Sequence, residues 1–360
     1  MRVLRIDENS PFRELIGVGG LGTGMFFALQ GDHTLGRNES RLGHLLDVRD
    51  YCKLHIVSHY VAKLLAAGQG QFAVRPLGNV GDDSAGKFVL GEMRGVGMDT
   101  RFVKVISGKP TLFSVCFQYP DGSGGNITTS NSAAAALSES DIDRAWDLAG
   151  SVGPKTIALL VPEVPLASRL HFLRRAREAG AFCVASFALG EVAEAKQFGI
   201  FDHLDLVSLN EEEGAAFAGE ADIGSSAEKF VERVGRLLNS TFPRLKVVMS
   251  VGKEGAYCVD CSGWSYAPAP RVDVASTAGA GDCLLGGILA ALACGIPLRC
   301  AEEAGGTLRL ASALDFGVLL ASYKVRSPHT IHPDASLDRL FEFAQELGIG
   351  VSPEIKKLVD

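Results

Sequence analysis

The stretch Ser276-Thr277-Ala278-Gly279-Ala280-Gly281-Asp282 combines small residues, glycines and one carboxylate, and it runs straight into the apolar segment 283–292. That segment has helical character, so the glycines fall at a helix N-terminus. Such an end leaves main-chain N–H groups without partners and carries the positive end of the helix dipole, which suits it to an anion such as a phosphate. Lacking a Cβ, Gly279 and Gly281 let a ligand approach the backbone. Asp282 then lies in the first helical turn, and because a carboxylate repels an anion it is expected to face a hydroxyl. The competing reading is an ordinary helix cap, for which Ser, Thr and Asp are common choices.

Other stretches carry weaker signals. Asn210-Glu211-Glu212-Glu213 follows the apolar run 204–209, and on its own it reads as a capped helix start whose acidic residues suit the dipole. Ser250-Val251-Gly252-Lys253-Glu254-Gly255 closes the run 246–249, where a glycine turn in a hairpin is the plain alternative. Gly17-Val18-Gly19-Gly20-Leu21-Gly22 spells G-x-G-x-x-G, yet a dinucleotide turn needs a long helix after it and an acidic residue about 20 positions on. The polar segment 32–41 does not supply that helix, so a glycine-rich first strand ending against a ligand is expected. His55 and His59 stand one helical turn apart. No third ligand accompanies them, so a helix face or the lining of a substrate pocket is expected before a metal pair. Cys258 and Cys261 lack a second pair at zinc spacing and read as a strand-end turn.

These residues need a scaffold, and the chain supplies one by alternation. Strands at 157–161, 182–187, 204–209 and 247–251 alternate with helices at 166–179, 211–218 and 226–239. That order implies right-handed βαβ units and a mostly parallel sheet with helices on both faces, whose ligands collect at the carboxyl ends of the strands. Upstream, 51–67 has helical spacing, 72–83 reads as a buried strand, and a helix runs through 88–93. Residues 101–131 form short alternating runs around Pro120-Asp121-Gly122-Ser123-Gly124-Gly125, the pattern of antiparallel strands. The tail from about 325 to 360 holds one amphipathic helix at 337–347. With 47% hydrophobic residues, 21% charged residues and 42 glycines among 360 positions, the composition fits a sheet buried on both faces. The net charge of -7 and the lack of Lys/Arg runs exclude a general nucleic-acid surface. No window of 18 uncharged apolar residues suggests a membrane span, and the N-terminus lacks a signal-like apolar stretch. A cytoplasmic chain with reduced cysteines is expected.

Taken together, Ser276–Asp282 with its apolar continuation, the N-x-x-E of Asn210 to Glu213 and the S-x-G-x-x-G of Ser250 to Gly255 resemble the motifs of the PfkB (ribokinase-like) family of carbohydrate and nucleoside kinases. Gly81-Asp82-Asp83-Ser84-Ala85-Gly86 and Gly95-Val96-Gly97-Met98-Asp99-Thr100 look like two further segments of that family. The resemblance, which runs from about 16 to 320, implies a single domain over 1–360. Its fold would be a three-layer αβα ribokinase-like α/β fold with a small β lid, here built from about 30–50 and 101–131. The implied reaction moves the ATP γ-phosphoryl group to a hydroxymethyl group of a sugar or nucleoside. Asp282 would be the general base, and the N–H groups of Gly279, Ala280 and Gly281 would hold the developing charge. Ser250, Gly252 and Gly255 would touch the nucleotide, while Asn210 and Glu213 would organise Mg²⁺, Glu213 through water.

The N-terminal half departs from the family pattern. The position of the family's sugar-gripping Asp, late in the first strand, falls within Gly19 to Gly24, where no Asp stands, and the double glycine before the next helix is missing near Lys53 to His59. Gly20, Arg37, Asn38, Arg41, His55 and His59 are therefore the candidates for an altered acceptor pocket. Ser276 stands where Asp is commoner, which puts monovalent-cation activation, common in that family, in question. A catalytically weak or inactive nucleotide- or sugar-binding protein on the same fold is the alternative, and an oxidoreductase built on Gly17 to Gly22 is a third reading. Exposed lid edges favour a homodimer.

Overall fold

A computed structural model describes residues 2–121, 123–150, 152–300 and 308–359; Gly122 of the expected hairpin turn lies outside them. The strands are β1 (Glu14–Val18), β2 (Gly22–Leu29), β3 (Gly43–Tyr51), β4 (Ala73–Gly81), β5 (Val103–Ile106), β6 (Leu112–Gln118) and β7 (Gly124–Thr128). They continue with β8 (Thr156–Leu160), β9 (Phe182–Ser186), β10 (Leu206–Leu209), β11 (Lys246–Ser250), β12 (Gly255–Asp260) and β13 (Gly263–Pro268). Nine of them form one sheet in the order β13-β12-β11-β10-β9-β8-β1-β4-β5. Strands from β11 to β5 in that order run parallel, while β12 and β13 are antiparallel additions at one edge.

Both faces of this sheet are buried, as the apolar runs require. Period-two alternation sends Leu15, Ile157, Leu159 and Val248 into one core, and Ile16, Ala158, Leu160, Val247 and Met249 into the other. On the first face lie helices Lys53–Leu64, Ala280–Ala293, Ala313–Lys324 and Leu337–Glu346; on the second lie Glu139–Ala149, Leu166–Glu178 and Ala227–Thr241. Small residues bring three of the first group close together. A Cβ at Gly286 would sit 2.9 Å from the Cβ of Tyr60, and one at Gly287 would sit 3.0 Å from the Cα of Gly317. Helix Ala280–Ala293 is thus clamped between two neighbours, which fixes where its N-terminus points. Helix Ala313–Lys324, buried nearly all round, lacks the amphipathic spacing by which a surface helix is recognised in sequence.

A second, four-stranded sheet has the order β3-β2-β6-β7. Its composition corrects the expected boundaries in two ways. β2 belongs to it, because the glycine-rich segment turns out of the main sheet after β1, so that Gly17 and Gly22 sit on different sheets. No helix follows Gly22, which removes the dinucleotide reading. β5 leaves it, pairing in parallel with β4 at the main sheet's edge. Residues 31–42 carry no strand. The pairing is also mixed, since β2 runs parallel to β6 but antiparallel to β3.

Candidate active site

A cleft of about 1270 Å³ opens at the carboxyl ends of the parallel strands, and all three phosphate-related motifs line it. The first comes from the N-terminus of helix Ala280–Ala293. Its capping position is Gly279, in the left-handed region at φ 76°, and no side chain caps it. A Cβ there would lie 2.8 Å from the carbonyl oxygen of Thr330, so the position needs glycine for both conformation and space. The Ser276 hydroxyl accepts from the Ala278 N–H within the loop and so does not serve as the helix cap. The end is left open to an anion.

Asp282 is 9% exposed. Its Oδ1 lies 3.5 Å from Nζ of Lys53, the first residue of helix Lys53–Leu64. The negative charge of Asp282 is the main reason the Lys53 ammonium is held above its usual range, with burial acting against it. Lys53 also feels Glu213 and Glu163, so one cation is shared by three carboxylates.

The second motif starts helix Glu211–Ala218. Here the end is closed: Asn210 Oδ1 accepts from the Glu213 N–H at 2.8 Å, and Glu213 Oε2 accepts from the Asn210 N–H at 2.9 Å. This reciprocal box satisfies two donors of the first turn. Glu213 is 8% exposed, and burial pushes its carboxyl up while Lys53 draws it down. A buried carboxylate with one cation nearby is a fitting oxygen donor for a hard cation, whose charge would favour its anionic form. The third motif joins β11 to β12 through a single 3₁₀ turn, Gly252–Glu254, with Gly255 at φ 129°. Its backbone and Ser250 form a wall of the cleft, and the Tyr266 hydroxyl donates to the Glu254 carbonyl to steady it.

Sequence reading missed two carboxylates beside Asp282. Glu163 follows β8 in the left-handed region at φ 77°, and its Oε2 is buried without a partner among the described residues. Burial pushes this carboxyl up to about 7. The carboxyl has the Cys52 thiol as a hydrogen-bond partner and feels the charge of Lys53, while Oε2 remains an acceptor that a ligand's donor could satisfy. Asp50, near the end of β3, is pushed up to about 6, again mainly by burial, and feels the charges of Asp282 and Lys324. A carboxylate just beyond a strand's carboxyl end was the available signal for Glu163. Asp50 offers none, because β3 carries exposed and half-buried residues along most of its length and nothing local sets this carboxylate apart.

The expected acceptor residues do not converge. Gly20 lies against Glu163, whose Cβ a side chain at 20 would meet at 2.4 Å. Arg37 and Asn38 are exposed in the β2–β3 connection, and Arg41 pairs with Glu39 at 2.7 Å. His55 and His59 occupy a different face of helix Lys53–Leu64 from Lys53 and do not line the cleft. They are 0% and 9% exposed, with the His55 ring 4.4 Å from that of Tyr51. None of their ring nitrogens has a partner among the described residues, and burial lowers His55 and brings His59 down to about 3. Of the cysteine pair, Cys258 is buried in β12 and Cys261 is exposed in the turn after it.

Comparison with known proteins places this geometry. The profile described as pfkB family carbohydrate kinase matches residues 57–336. The 1-phosphofructokinase of Escherichia coli (strain K12) is 47% identical over 68 residues, 19% of this chain and 20% of that protein. The aminoimidazole riboside kinase of Salmonella typhimurium (strain LT2) is 26% identical over 226 residues, 59% of this chain and 66% of that protein. The chain therefore spans a fifth of the first relative's length and just under two thirds of the second's. Among solved structures, the ribokinase of Cryptococcus neoformans var. grubii serotype A in complex with ADP superposes with a TM-score of 0.69 at 21% identity, covering 92% of this chain and 99% of that one. At that identity the likeness is one of fold, and it confirms the ribokinase-like α/β architecture.

Proposed function

The chain belongs to the pfkB family of carbohydrate kinases, and from that premise we propose that it transfers the γ-phosphoryl group of ATP to a hydroxymethyl group of a sugar or nucleoside. One observation carries the reading: Asp282 sits in the first turn of an uncapped helix N-terminus, inside a cleft that also takes in Asn210, Glu213 and Ser250. Phosphoryl transfer asks a protein chiefly for positioning and charge neutralisation. Asp282 takes the proton from the acceptor hydroxyl, and Lys53 beside it offsets negative charge where acceptor and phosphoryl group meet. The N–H groups of Gly279, Ala280 and Gly281 hold the charge that develops on the transferred group, those of Gly279 and Gly281 standing open while that of Ala280 also donates to the Thr277 carbonyl at 3.0 Å. The turn at Ser250, Gly252 and Gly255 contacts the nucleotide.

Glu213, through water, and Asn210 would hold Mg²⁺, an ion whose part in this chemistry is to neutralise phosphate charge. Glu163 and Asp50 bind and orient the hydroxyls of the acceptor. The second sheet closes over that end as a lid of one continuous kinase domain, and its edges pair two copies of the chain; a monomer in small-angle scattering would remove that last element.

The deciding experiment follows ATP consumption over a panel of sugars, sugar phosphates and nucleosides, with Asp282→Asn beside the wild type. Turnover of one class, lost in the variant, is the expected result. An undiminished variant overturns the role of Asp282. ATP binding with no acceptor turned over would instead favour a nucleotide- or sugar-binding protein.

A further inference from the structure

Helix Ala313–Lys324 ends on a lysine to which the proposed reaction assigns no task. Lys324 is 0% exposed, and its ammonium donates to the main-chain carbonyls of Ser276, at 3.2 Å, and of Ala278. Among the described residues it makes no ion pair with a carboxylate. Burial pushes the ammonium down to about 8, although Cys283, Asp282 and Asp50 oppose the shift. A buried cation held by neutral carbonyls is expensive to keep. The carboxyl end of its own helix dipole compensates for part of that cost.

The geometry of the loop shows what the lysine provides. A trans peptide places each C=O on the opposite side from the following N–H. With the carbonyls of Ser276 and Ala278 aimed at Lys324, the N–H groups of Thr277 and Gly279 point the other way. Neither of them has a partner among the described residues, and both residues line the cleft. The next residue strengthens the hold, because the Val325 carbonyl accepts from the N–H groups of Ala275 at 2.8 Å and Ser276 at 3.2 Å. The end of one helix therefore sets the peptide planes of the loop that opens another.

We propose that the Lys324 ammonium is a built-in monovalent cation, a positioning residue that aims the Thr277 and Gly279 N–H groups at the transferred phosphoryl group and spares the protein any need for a free monovalent ion. The proposal rests on the phosphotransferase reading for its kinetic arm, and on ATP binding for an arm independent of it. Wild-type protein in buffer whose monovalent cation is tetramethylammonium should turn over as fast as in potassium or ammonium chloride. Lys324→Met should lose about 10²–10³-fold in kcat, the scale of removing one preorganised oxyanion donor. It should then recover tenfold or more of that loss in ammonium or potassium chloride but none in tetramethylammonium, which is too large to sit between the two carbonyls.

Dependence of the wild type on potassium overturns the proposal, as does a folded Lys324→Met that is unimpaired or is not rescued by ammonium. If Lys324→Met fails to fold, Lys324→Gln, which keeps hydrogen-bond donors without charge, is read in its place. It should be slow and refractory to ammonium, and full activity would overturn the need for a charge. If no acceptor is turned over, the kinase reading fails by itself. Calorimetry of ATP binding then decides the role of Lys324: weaker binding by Lys324→Met, regained in ammonium, supports it, and equal binding overturns it.

Discussion

Two helices open onto the cleft by their N-termini, and they treat those ends in opposite ways. Helix Glu211–Ala218 closes its end with its own side chains, Asn210 and Glu213 exchanging hydrogen bonds at 2.8 and 2.9 Å. Helix Ala280–Ala293 begins at a glycine that offers no side chain at all. The closed end keeps its orphan donors occupied and presents carboxylates, which suits it to a cation. The open end ties only the Ala280 N–H, to the Thr277 carbonyl, and leaves those of Gly279 and Gly281 free, which suits it to an anion. Loop support differs in the same sense: the closed end is self-contained, whereas the open end borrows a carbonyl from Val325 and an ammonium from Lys324.

The largest test of this contrast falls on the open end. Asp282→Asn should lower kcat by about 10²–10⁴-fold, the range expected for a lost general base, with thermal unfolding and ATP affinity little changed. A variant that lost ATP binding along with turnover would show Asp282 to be structural, and the two ends would differ less than argued. Next in size is Gly279→Ala. A left-handed conformation costs an L-residue about 1–2 kcal/mol, and the new methyl group would press on the Thr330 carbonyl. Both a lower Tm and a fall in kcat of tenfold or more are expected, read by calorimetric unfolding and steady-state kinetics. An active, stable Gly279→Ala would mean that the loop tolerates other shapes and that its open end is incidental.

Much of this contrast was legible in the sequence, and its limits have physical causes. Asn210 with Glu213, and Gly279 with Asp282, are local patterns: cap chemistry and glycine placement act over three or four residues, so spacing alone reveals them. The parallel sheet was legible for the same reason, from apolar runs such as those around Ile157 and Val247. The acceptor end was not. Asp50 and Lys53 flank the join of β3 and helix Lys53–Leu64, but nothing local brings Glu163, after β8, or Asp282 to them; that takes the folded chain. His55 and His59 misled because a helical period shows that two residues share a face without showing which neighbour that face meets. Lys324 was hidden at the end of a helix buried nearly all round, where no polar stripe marks the residue that matters.

A smaller effect follows from pH. The Lys324 ammonium, held near 8 by burial, faces Asp282 and Cys283 on its neighbouring helix and Asp50 on β3, and it perturbs His332. Below about 8 it is charged and the open end is supported; above that it is neutral, and kcat should fall severalfold. Stability should move the other way. A lysine whose folded pKa is depressed favours the folded state more as pH rises from about 8 toward its unfolded value. The signature is a kcat that falls from about pH 8 while the Tm of the wild type rises relative to that of Lys324→Met. A kcat flat through pH 9 would show that the loop does not need the charge.

The smallest effect belongs to the closed end, and it decides whether the comparison is real. Asn210→Ala deletes one cap, which should cost about 1 kcal/mol of stability and, in a chain of this size, lower Tm by about 2–4 °C or less. Glu213 would keep its carboxylate at the cleft but lose the box that orients it. The kinetic cost should therefore appear as a severalfold rise in KM for ATP at limiting Mg²⁺, relieved by excess Mg²⁺, with kcat nearly unchanged. Gly279→Ala should show the reverse, with kcat lost and no relief from Mg²⁺. Should Asn210→Ala instead lose more kcat than Gly279→Ala, the roles of the two ends would have to be exchanged: the box would then be what positions the phosphoryl group, and the open glycine end would be a packing requirement imposed by Thr330.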